Sequence, residues 1–123
     1  MGRRDDNIVL QKSMDFAVRI VKLYKFLCAE KSEFVLSKQL LRSGTSIGAN
    51  LHEAQESISH KEFEAKIYIA LKEARETEYW LNLLYETEYM DKNQYDSISS
   101  DCTNLLKLLV SIAKTLRQNS QKR

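Results

Sequence analysis

Four stretches of the chain repeat apolar residues at steps of three and four, the spacing that gathers side chains on one face of an α-helix. The first runs through Phe16, Ile20, Leu23 and Leu27, flanked by Ala17 and Tyr24. The second is Leu40, Gly44, Ile47, Leu51, Ala54 and Ile58. The third is Phe63, Ile67, Ala70, Ala74, Thr77, Leu81 and Leu84, and the fourth Tyr95, Ile98, Cys102, Leu105, Leu109, Ile112 and Leu116. The pattern predicts helices over roughly residues 8–30, 38–57, 60–88 and 92–118. Short linkers make consecutive helices antiparallel neighbours, so the expectation is all-α: one antiparallel up-down-up-down four-helix bundle spanning 1–123.

The expected boundaries carry capping chemistry. Ser59 stands three residues before Glu62, and Asp91 three before Gln94. In each capping box the two side chains bond each other's backbone N–H, with Ile58 and Phe63, or Met90 and Tyr95, spaced as the hydrophobic staple. Ser37 is placed to cap the second helix, with Leu36 and Leu41 as its staple pair.

Composition narrows the alternatives. Proline is absent and there are three glycines among 123 residues. An all-β fold needs a turn every few residues, usually built from such residues, and is excluded. No uncharged run approaches the ~20 residues of a membrane span. The opening Met1-Gly-Arg-Arg-Asp-Asp lacks the apolar core of a signal peptide, so a cytoplasmic protein with no membrane partner is expected. Cys28 and Cys102 sit singly in apolar stripes, which reads as two small buried hydrophobes in a reducing compartment. The polar, basic end over 118–123 is expected to fray.

The second stripe departs from a plain bundle. Ser43-Gly44-Thr45-Ser46-Ile47-Gly48-Ala49-Asn50 has one large side chain in eight, and each interior glycine costs ~1 kcal/mol of helix propensity. Gly44 and Gly48 lie one turn apart, which suits close approach of another backbone, within the bundle or between subunits; a ligand or nucleic-acid groove is the alternative. Beside them runs a polar line, Arg42, Ser46, Asn50 and Glu53. Lys66, Glu73 and Thr77 form a comparable line near Trp80. The two lines are expected to meet in a buried hydrogen-bonded network that sets helix register, with a ligand site and plain solvent exposure as the other readings.

Catalytic signatures are missing. There is no nucleophile elbow, no Gly-rich phosphate loop and no Cys–His assembly, so no enzyme and no cofactor are expected. No Glu has His three residues on, as a di-iron bundle requires. His52, Glu56 and His60 would share a face only on a continuous helix, and the expected break at 57–59 divides them, so no metal is expected.

Charge segregates along the chain. Residues 1–50 hold nine Lys/Arg against five Asp/Glu, 51–100 hold five against eleven, and 101–123 hold five against one. The segment balances are therefore +4, −6 and +4. Lys12, Arg19, Lys22 and Lys25 point away from the first stripe, and Lys107, Lys114 and Arg117 from the fourth. If the first and last helices adjoin, these merge into a basic strip able to bind phosphates in a salt-dependent manner. Two rival readings are a mixed solvated surface and an acidic third helix meeting a basic face of the next subunit head-to-tail.

The stretch Leu36–Ala54, with its Ser46-Ile47…Asn50-Leu51…Glu53 motif, resembles the four-helix-bundle proteins encoded in intervening sequences of bacterial 23S rRNA genes. The stretch from Phe63 through Ile69-Ala-Leu-Lys-Glu-Ala-Arg-Glu-Thr-Glu-Tyr-Trp-Leu81 resembles that family's third helix. Family members often carry Pro where this chain has Gly48, and Gly where it has Ala54. The resemblance implies a homopentamer without enzymatic activity and a role near RNA. It extends distantly to the accessory variability proteins of diversity-generating retroelements, which work with a reverse transcriptase and nucleic acid. It assigns Ser46, Asn50 and Glu53 to structural or subunit-contact roles, to which the residue pattern itself adds Arg42, Gly44, Gly48 and Trp80. The expected function is non-catalytic and RNA-associated through the basic faces; the alternative is an assembly module that binds a protein partner such as a reverse transcriptase and no nucleic acid.

Overall fold

A computed structural model describes residues 3–121, with side chains from Ile8 to Gln121. Helices α1 (Arg3–Lys31), α2 (Leu36–Gln55), α3 (His60–Glu86) and α4 (Lys92–Gln121) follow one another as an antiparallel up-down-up-down bundle. The four stripes form its core: Ile20, Leu27, Leu40, Ile47, Leu51, Ile67, Leu81, Leu84, Leu105, Leu109 and Leu116 are all but inaccessible to solvent. Each helix packs closely on the next in sequence, whereas α1 and α4 meet along a much looser seam.

Capping explains most boundaries. Ser59 Oγ accepts from the Glu62 N–H at 3.1 Å, but Glu62 returns its bond to the N–H of Ile58, one residue before the expected partner. Ile58 is 96% exposed, so the staple with Phe63 does not form. The second box closes fully, Asp91 accepting from the Gln94 N–H at 2.8 Å and Gln94 from the Asp91 N–H at 3.0 Å. Met90 and Tyr95 both join the core there.

Ser37 is not the cap of α2. The buried carboxylate of Glu33 accepts the N–H groups of Val35, Leu36 and Ser37 at 3.0, 2.8 and 2.7 Å, which moves the helix start to Leu36. Ser37 lies inside the helix and donates its hydroxyl to the Glu33 carbonyl. Burial pushes the Glu33 pKa up, and the N–H bonds from Leu36, Ser37 and Val35 together outweigh it and hold the carboxyl below its ordinary value. The end of α3 is a Schellman turn, with Tyr89 N–H on the Leu84 carbonyl and Glu88 N–H on the Tyr85 carbonyl. Its left-handed position is Glu88, at φ 67°, where glycine is usual.

Two expectations about chain ends change. Helix α1 begins by Arg3, and α4 continues through Gln121 rather than fraying from 118; Lys122 and Arg123 lie outside the described residues. Cys102 is buried, and burial together with nearby Glu78 pushes its thiol up to about 12, while Cys28 is only half-buried.

Candidate nucleic-acid interface

The glycines of α2 serve packing within the bundle. A Cβ on Gly44 would stand 2.8 Å from Ile20 Cγ1 and Cγ2, so Ile20 of α1 fills the space. At Gly48 the nearest atoms are Ser13 Oγ at 3.3 Å and the Ser13 carbonyl oxygen at 3.5 Å. The chain of α1 is thereby drawn against α2.

The two polar lines do meet across α2 and α3, but mostly at the surface. Arg42 reaches Glu73 at 3.3 Å and also pairs with Glu76, and Lys66 bonds Glu53 at 2.9 Å. Only the hydroxyls of Thr77 and Ser43, 2.9 Å apart, form a buried cross-link. Ser46 donates to the Arg42 carbonyl and Asn50 to the Ser46 carbonyl, both within their own helix. Trp80 packs on the core with its ring edge-on to Tyr79, and its buried Nε1 has no acceptor among the described residues. The expected buried network is thus reduced to one hydroxyl pair, because long charged side chains keep their heads in water.

The cations of α1 and α4 fall into separate groups. Arg19 bridges the loose seam, 2.6 Å from Asp101 and bonded to the carbonyl and hydroxyl of Ser97. Lys12 lines the same seam beside Asp15 and Asp101, so carboxylates interrupt the basic strip there. Lys22 edges a further hollow of about 370 Å³ floored by Leu23, Phe26 and Ile98. Lys25 and Lys107 are exposed. Lys114 and Arg117 turn instead toward α3, lining a groove with Arg75, Leu71, Val110 and Ala113. Of the seven strip cations only Arg19 has an ion-pair partner among the described residues.

Arg75 was not singled out by sequence reasoning. It sits in the segment whose balance is −6, so a count by segment hides it; only the α3–α4 pairing reveals its neighbours. His52, Glu56 and His60 do not share a continuous helix, as α2 ends at Gln55 and α3 starts at His60, and His52 Nδ1 lies 2.8 Å from the Gly48 carbonyl. No described helix is long and apolar enough to cross a membrane.

Comparison with known proteins adds context. A family model described as 23S rRNA-intervening sequence protein matches residues 5–111, stopping short of Lys114 and Arg117. Among solved structures, one from Bacteroides thetaiotaomicron is 61% identical, with a TM-score of 0.88 over 89% of this chain and 98% of its own. It is described as a protein of unknown function from the S23 ribosomal protein family. The curated proteins contain no match.

Proposed function

This chain belongs to the 23S rRNA-intervening sequence protein family, and from that premise we propose that it is a non-catalytic, self-assembling bundle that associates with RNA through cations of α1 and α4. One observation carries the reading: six of the seven strip cations on α1 and α4 have no ion-pair partner among the described residues, whereas Arg42 and Lys66, in the polar lines of α2 and α3, are held by neighbouring carboxylates. Exposed unpaired cations on a helical scaffold bind phosphates with an affinity that falls as salt displaces them.

The test is fluorescence anisotropy with a structured rRNA fragment and a duplex DNA control at ~50 and ~200 mM salt. Saturable binding that weakens steeply with salt and prefers the RNA supports the proposal; no binding at the lower salt overturns it. Charge reversal belongs at Lys22 rather than Arg19, because Arg19→Glu would also break the Asp101 brace.

A second reading has its own observation. Met14 and Val18 of α1, one turn apart, are 49% and 46% exposed, an apolar stripe suited to another subunit or a protein partner such as a reverse transcriptase. The homopentamer implied by the family resemblance is proposed for this chain on the same ground. Sedimentation equilibrium of Met14→Lys against the parent protein tests it: a loss of assembly supports contact through α1, and unchanged assembly removes it.

A further inference from the structure

Resting on the RNA reading, we propose that the α3–α4 groove is the place where a single-stranded nucleic acid binds. The groove has a volume of about 350 Å³, and Arg75, Lys114 and Arg117 edge it while Leu71, Val110 and Ala113 form its floor. All three cations are exposed and have no ion-pair partner among the described residues. Lys107, seven residues before Lys114, extends the same face of α4 by two turns. The cationic stretch is bounded. Glu64 is engaged by the Ser120 hydroxyl at 2.6 Å at one end, and Glu78 lies toward the buried Cys102 at the other.

The floor distinguishes a single strand from a duplex. A duplex turns its phosphates outward and keeps its bases stacked inside, so an apolar floor between cations gains nothing from it. A single strand offers both a charged backbone and free base faces, and proteins that bind it combine a cationic groove with aromatic or apolar platforms. Val110 is 41% exposed on that floor. Tyr68, one turn before Leu71 on the same face of α3, is an exposed aromatic in position to stack a base beside the groove.

Anisotropy of the full chain with a labelled unstructured oligouridine, titrated across salt, tests the assignment. Replacing Arg75, Lys114 and Arg117 with Gln should reduce the slope of log affinity against log salt by about 2, since each neutralised phosphate contributes ~0.7 on single strands. The advantage of the parent protein over this variant then shrinks roughly 20-fold between ~50 and ~200 mM salt. Tyr68→Ala should weaken binding about tenfold, and Lys38→Gln with Lys61→Gln, exposed cations of α2 and α3 that do not line the groove, should leave the slope nearly unchanged. Circular dichroism of each variant checks that the bundle is intact.

The failures are separable. If the parent protein binds no RNA at ~50 mM salt, the RNA reading fails and the groove assignment with it. If it binds, and the groove variant keeps the parent slope while Lys12→Gln with Lys22→Gln lowers it, the RNA reading stands through α1 and the groove is overturned. Equal competition by polyglutamate and by duplex DNA, with no effect of Tyr68→Ala, marks a general polyanion surface and overturns the single-strand assignment.

Discussion

At the scale of single residues, Gly44 and Gly48 lie one turn apart yet have different neighbours, so the same substitution should separate them. Alanine gains ~1 kcal/mol of helix propensity at either position. At Gly44 the added Cβ falls 2.8 Å from two carbons of the fully buried Ile20, and overpacking of that kind costs about 1–3 kcal/mol. Gly44→Ala should therefore lower the urea midpoint, and with Ile20→Ala the joint loss should be smaller than the sum, because the first fills space vacated by the second. At Gly48 the nearest atom is a hydroxyl on a rotatable bond, 3.3 Å away, and Gly48→Ala should be neutral or stabilising by up to ~1 kcal/mol. Cys102 offers a different check. With its thiol pushed up to about 12 and its sulfur packed in the core, native protein should take an alkylating reagent at Cys28 alone, and at both positions in urea.

At the scale of elements, the helix ends decide more than propensity does. The carboxylate of Glu33 anchors three N–H groups of α2, and its folded pKa lies below its unfolded one. Its contribution is complete above the ordinary Glu value of 4.5 and drains away as pH falls through the lowered folded value. Glu33→Gln should cost about 1–2 kcal/mol at pH 7 by urea unfolding, with the gap to the parent protein closing as the pH drops below ~4. At the other kind of end, Glu88→Gly should raise stability by about 1 kcal/mol, since the left-handed φ of 67° penalises any Cβ. These elements also show what was legible beforehand. The apolar stripes and the Asp91–Gln94 box are patterns of neighbours along one chain, and the structure keeps them except for Ile58, which lies past the end of α2 and faces solvent. The Glu33 cap was missed because a long carboxylate reaches back from a loop, in place of the short side chain usual at a helix start. The Arg75 groove was missed because its parts come from two helices whose rotation about their axes no spacing rule supplies.

At the scale of the whole molecule, the seam between α1 and α4 is the loosest interface, and Arg19 with Asp101 is the ion pair described across it. An exposed pair of this kind is worth at most ~1 kcal/mol. Asp101→Asn should therefore leave the unfolding midpoint nearly unchanged while speeding amide hydrogen exchange along the facing turns of α1 and α4. The same arrangement has a kinetic consequence. Because every tight interface joins helices consecutive in the chain, native contacts close short loops and little chain entropy is lost before the first ones form. Refolding of the monomer should then fall in the microsecond-to-millisecond range typical of helical bundles, with α1–α2, α2–α3 and α3–α4 each able to nucleate the rest. Lengthening the α2–α3 connection at 57–59 with a flexible insert should slow that step only slightly, as loop closure grows with the logarithm of length.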